Sequence, residues 1–440
     1  MKFRRPIIIS ILSALVLVVS NFLNSSVSTT GFINSFPDVL CPPTLSGLSS
    51  QVSLAKKNTP FRYISNKKIT MSPIGNSRFS ITKDSILIDA AGITPVVWQS
   101  RAGNWAGGTI CSGPISSQWF TGGTADITSR GKLLVVNSGL SEAIVNVNVW
   151  SESGVQAAKV LTIPAKSYSA QGLDALAPGQ KKIVLHVSTQ AGRVNSFVVD
   201  ERGKGLNSLG GDLVNSISNP STHLMIPAIP NQISKDSKGN VTQKGSGHQL
   251  RILVPGDVDG HINAEVISAD GRYTPVGIND LAVKHGSVSE ITLDSNITSN
   301  AFALSITSDV PFLASVYSKV KSSGHNDFVW STPAGALTPM SIAITGLSPV
   351  LAFAGESIDI SLDVKLSNGK RTTSRITATD FVLWKVPDNA SVITITQPGD
   401  HVSGGALVSS VNGYGYFPLV AGSTLSKASI PVSNIRVLNP

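Results

Sequence analysis

Serine and lysine at S-x-x-K spacing occur twice in this chain, at Ser53/Lys56 and Ser65/Lys68. In penicillin-binding enzymes that spacing sets a lysine beside a nucleophilic serine. Neither pair has an S-D-N or K-T-G partner, and both lie in irregular sequence, so chance is the better account. Asp257-Val258-Asp259-Gly260 begins like a calcium loop but lacks the later ligands and the closing bidentate glutamate. Directly before a strand it reads as an Asp-Gly turn. The seven histidines are dispersed, and His186 lies inside an apolar strand as a packed residue. There is no H-E-x-x-H, no G-x-x-x-x-G-K-[S/T] and no G-x-S-x-G. No pair of carboxylates stands out for glycosidase chemistry. The expectation is a non-enzymatic chain with no catalytic residue, no metal site and no cofactor; a wall hydrolase ranks third among the functions.

One concentration of residues is unusual. Trp98, Trp105, Trp119 and Phe120 cluster, and they include half of the chain's six tryptophans. Gly107-Gly108 and Gly122-Gly123 interleave them, with Cys111 among them. Exposed indoles on glycine loops could stack on sugar rings; the alternative is the core of a small cross-linked segment. Cys41 and Cys111 are the chain's two cysteines. In an exported chain they pair most simply as one disulfide, worth about 4 kcal/mol by loop closure. Two free thiols are the alternative, and a metal site lacks nearby histidines.

The elements that hold these residues follow from a pattern found three times. Three alternating apolar residues lead to a turn glycine, and another apolar residue follows seven positions later. The copies are Val145, Val147, Val149, Gly154, Leu161; Ile262, Ala264, Val266, Gly271, Ile278; and Ile360, Leu362, Val364, Gly369, Ile376. A period of two buries one row of a strand and exposes the other. Ser153, Asp270 and Asn368 before the glycines suit hairpin turns. The pattern therefore describes a β-hairpin scaffold. Further strand candidates flank each copy, which predicts an all-β chain of tandem immunoglobulin-like sandwiches. A propeller of about 40–50 residues per blade fits the repeat spacing less well. The expected domains are 131–230, 247–338 and 339–440, after an irregular β segment at 41–130. A hydrophilic stretch, 233–248, separates the first two. Val97-Trp98 and Val329-Trp330 share V-W-x-[S/T]-x-A-G, a short hint that the irregular segment holds part of a further repeat.

Lys2, Arg4 and Arg5 precede an apolar run from Pro6 to Leu23. That order is an export signal. The run approaches the roughly 20 residues that span a bilayer, and Ser20–Ser26 is a poor cleavage site. A retained anchor over 1–23 is the first expectation and a cleaved signal peptide the second, with 24–40 as a flexible tether. Either outcome places the rest outside the cytoplasm. Charged residues make up 14% of the chain, below the usual level of about 25%. The net charge is +9, a mild excess once the N-terminal cations are set aside; it reads first as a solvated basic surface and second as a preference for anionic wall polymers or headgroups. Its cations are too dispersed for nucleic acid.

The anchor, Cys41-Pro42, Trp119-Phe120-Thr121-Gly122-Gly123 and the strand Leu133–Gly139 together resemble an uncharacterised family of actinobacterial cell-envelope proteins, classed as a domain of unknown function. The resemblance implies an envelope location and no particular activity. The leading expectation is a β-sandwich stalk that binds or organises another envelope component. The alternative is a carbohydrate or wall-polymer module using Trp98–Phe120.

Overall fold

A computed structural model describes residues 14–15, 38–66, 68–236, 241–243, 247–293 and 297–423. The expected anchor (but for residues 14–15) and most of the tether lie outside the described residues. Among the described residues no helix is long and apolar enough to cross a membrane.

Residues 37–424 form one unit that is almost all antiparallel strand. Alternation does what it should. Ala143–Ser151 buries every second residue, and its Val145, Val147 and Val149 enter one core. The three signature hairpins form as expected, with φ of +102° at Gly154, +119° at Gly271 and +88° at Gly369. A glycine adopts such φ without steric cost.

The sheets reveal a larger template, repeated four times. Each copy has two sheets of four main strands over a shared core. In the second copy one sheet runs Ser117–Phe120, Ile183–Ala191, Ala143–Ser151, Lys159–Ile163. The other runs Ser167–Gly172, Lys132–Asn137, Val194–Lys204, Asn207–Val214. The first copy repeats this order with Val39–Cys41, Ile86–Ile88, Thr59–Tyr63, Ser72–Ile74 and with Arg78–Ser80, Ser49–Ser53, Ile93–Arg101, Trp105–Ile110. In the third and fourth copies the long strands Ala301–Ser322, Val350–Leu366 and Arg371–Lys385 each serve both sheets. The copies span 39–110, 117–214, 221–331 and 340–418.

These boundaries differ from those expected. Residues 41–130 are not an irregular appendage: they hold most of a complete copy and the opening strand of the next. Ser221–Pro230 opens the third copy and does not close the second. The stretch 233–248 therefore lies within a copy, not between two. Val97-Trp98 and Val329-Trp330 are not equivalent either, because the first pair sits on the outer strand of its hairpin and the second on the inner strand. The first copy escaped the signature because its hairpin, Thr59–Tyr63 to Ser72–Ile74, turns through a longer loop without the glycine.

Each copy ends in an inner strand: Trp105–Ile110, Asn207–Val214, His325–Ser331 and Gly413–Pro418. The first touches the second and fourth, and the third touches the same two, so the four close a ring. A parallel pairing of Ser341–Ala343 with Ile93–Pro95 also ties the fourth copy to the first. The result is a closed assembly of sandwiches and not the extended stalk expected. Glycine permits the close approach. A Cβ on Gly413 would fall on the backbone N of Ala106 and 2.5 Å from Asp327 Oδ2, and one on Gly415 would lie 2.9 Å from Gly108 N. Neither neighbour is a flexible side-chain end that could yield cheaply. Gly413→Ala is expected to cost about 1–3 kcal/mol by overpacking. Urea unfolding checks this, with the solvent-facing Ser153→Ala as a control of small effect.

Candidate functional site

The ring is held by buried acids. Asp327, 3% exposed, accepts a backbone N–H from every inner strand: Ala106 (3.4 Å), Gly211 (3.0 Å), its own neighbour Phe328 (2.9 Å) and Tyr414 (3.3 Å). Asp212 accepts N–H bonds from Trp330 (2.7 Å) and Leu213 (2.8 Å). Asp200 accepts the Trp330 indole N–H at 2.8 Å and pairs with Arg202 at 2.7 Å. Arg202 lies over Phe328 and Tyr317, and Arg251 over Trp330. Asn215 donates to the carbonyls of Gly108 and Tyr416 and accepts from Thr109, so it joins three inner strands. Each of these polar groups has its partners, so the network stitches strands and presents no free nucleophile. Among the described residues no three His, Cys, Asp or Glu side chains come together as a metal-holding group.

The sequence-predicted residues are separated by this architecture. Cys41 and Cys111 form the disulfide, which joins the first strand of the first copy to the connector after its inner strand. Trp98 enters the core of the fourth copy with Phe417. Trp105, fully buried, packs against Leu134, Phe197 and Leu213 of the second. Phe120 belongs to the second copy's own core. They do not share a ligand face; they fill the inside of the ring and its junctions. Trp119 and Phe120 border two different concavities. Trp119 stacks on His186 (centroids 3.9 Å apart) and tilts against Trp150 (5.2 Å). Ser117 Oγ lies 2.9 Å from His186 Nε2, and burial holds the imidazole below its usual pKa. Trp119 and Trp150 line an open apolar groove of about 480 Å³ with Pro220, Pro255, Val258 and Pro311. Trp150 was absent from the expected site because it is far from the cluster in sequence.

A second concavity, about 680 Å³, lies where the connectors leave the inner strands. Residues 109–112, 214–221, 333–338 and 418–422 contribute to it from all four copies. Ile110, Phe120, Ile217 and Leu419 supply apolar walls, and Gln118, Asn215 and Ser216 supply amide and hydroxyl groups. Among the described residues His223 is its one ionisable lining residue. No motif marked it, because each connector contributes only a few ordinary residues.

The pattern of a family of unknown function, DUF5719, covers residues 90–378. The chain belongs to that family. The match runs from the first copy's inner hairpin into the fourth copy's signature hairpin. No curated protein matches the chain.

The ring acids also set a pH dependence. Burial raises Asp327 from its ordinary 3.8 to about 7, which its four N–H donors only partly offset. Burial likewise places Asp212 well above its ordinary value, with Asp327 and Asp200 adding repulsion. Unfolded, both ionise near 3.8; folded, they keep their protons to higher pH. The folded state binds more protons above the unfolded pKa, so each contribution is full below about 4; that of Asp327 is lost as pH rises through about 7. Asp327→Asn cannot ionise. The stability difference between wild type and this variant is therefore expected to shrink from pH 4 to pH 8 in urea titrations.

Proposed function

We propose that this is a non-enzymatic protein of the cell envelope whose ring of β-sandwiches holds a partner protein of that envelope through the concavity where the connectors leave the inner strands, here called the axial funnel. The export-type N-terminus and the Cys41–Cys111 disulfide support an extracytoplasmic place. In this reading the copies are immunoglobulin-like sandwiches, and the actinobacterial envelope family that the sequence resembles supplies the setting. The observation that carries the proposal is the funnel itself. It is built by all four copies, mixes apolar walls with amides and hydroxyls, and among the described residues has no carboxylate, lysine or arginine in its lining. Such a lining suits an uncharged extended peptide segment, whose backbone needs donors and acceptors and whose side chains need apolar contact.

Gly335 lines the funnel, and a Cβ there meets nothing within 4 Å. Gly335→Trp is expected to fill the funnel without disturbing the fold. In affinity capture from solubilised envelopes, an envelope protein retained by wild type should be lost with the variant. Identical capture by both chains would remove the funnel from the binding surface.

A second reading has its own observation: the Trp119–Trp150 groove offers indole surface to a sugar ring. Trp150→Ala should weaken retention on purified wall glycan at least about fivefold if stacking contributes on the order of 1–3 kcal/mol. Equal retention would eliminate it.

A further inference from the structure

The signature hairpin carries one position that changes character between copies. Four residues before the turn glycine stand Trp150, Ile267 and Lys365. Each is at a junction. Trp150 lines the groove between the second and third copies. Ile267 is buried in the cluster shared by the third and fourth copies. Lys365 lines a concavity of about 470 Å³ between the fourth copy and the first. The template accepts an apolar residue there, so a half-buried lysine is not a requirement of the fold.

Its neighbours extend the anomaly. Lys365 pairs directly across the hairpin with Arg371, which also lines the concavity. Like charges in direct cross-strand register are destabilising. Neither cation has an ion-pair partner among the described residues. From the opposite wall the first copy adds Lys56. Two carboxylates are present, and both are engaged locally: Asp363 accepts from Thr373 Oγ1 at 2.8 Å and Asp89 from Ala91 N at 3.3 Å. Ser341 and Thr394, whose hydroxyls lie 2.8 Å apart, complete the floor. Three cations against two carboxylates leave the concavity net positive, and with the two hydroxyls this suits a tetrahedral oxyanion, which would bridge the lysine and arginine and relieve their repulsion.

We propose that the groove between the fourth and first copies binds a phosphate-class oxyanion through Lys56, Lys365 and Arg371. The site is separate from the axial funnel and does not depend on it.

The test follows thermal unfolding of the full chain against orthophosphate and against linear polyphosphate, at fixed ionic strength. Orthophosphate should raise the Tm of wild type, as any ligand specific to the folded state does. Lys365→Ile restores the apolar residue of the third copy, and Arg371→Gln removes the second cation. Each should weaken the response about tenfold or more. Without phosphate, Lys365→Ile should be at least as stable as wild type, which separates lost binding from lost fold. Gly335→Trp should keep the full response. Tighter binding of polyphosphate than of its monomer would identify a polymer as the source, and equal binding per phosphate a free anion. No response of wild type beyond a chloride control, or an undiminished response in both variants, would overturn the proposal.

Discussion

One carboxylate receives a backbone N–H from each of four strands that are distant in sequence, and the architecture depends on it. Asp327 can do this only if the inner strands of all four copies converge on a common axis. Convergence in turn demands glycine where backbones meet, as at Gly413 against Ala106 and Gly415 against Gly108. The arrangement opposes two large effects. Four N–H donors favour an anion, whereas burial of the group disfavours one. Burial prevails, as the upward shift of Asp327 shows. The ring is thus fixed by directional hydrogen bonds at its centre and by apolar filling at its periphery.

Ring closure also explains the placement of the aromatic residues. Trp98 and Trp105 arise from the first copy yet pack into clusters of the fourth and second. They act as fillers between copies, where two curved sandwiches leave gaps that large rings close. The disulfide has a related role. It secures the first copy, whose own core is the smallest, at the point where the chain leaves its inner strand.

Junctions are where the copies are free to differ. Inside each sandwich the alternating rows must remain apolar, or the core is lost. At a junction the same template position can be an indole, an isoleucine or a lysine, since a groove tolerates what a core cannot. Diversity among the junctions is therefore compatible with one hairpin geometry within the chain. Binding capacity can be built this way without altering the scaffold.

Local periodicity was sufficient to establish the all-β class and the three glycine-turn hairpins, because a period of two and a positive-φ turn are properties of a few consecutive residues. The cysteine pair was equally legible, because the chain offers no other partner. The first copy was not, since its hairpin lacks the turn glycine and its strands are short. Asp327 left a faint trace, an acid next to the apolar run Phe328-Val329-Trp330, but its partners lie on strands that only the ring brings together. The same holds for the funnel, the Trp119–Trp150 groove and the Lys365–Arg371 pair's opposite wall at Lys56. Sequence by itself determined the hairpins, because their forces act between near neighbours. Tertiary structure decided which residues meet at the axis and the junctions, because those contacts join segments whose order in space no local pattern encodes.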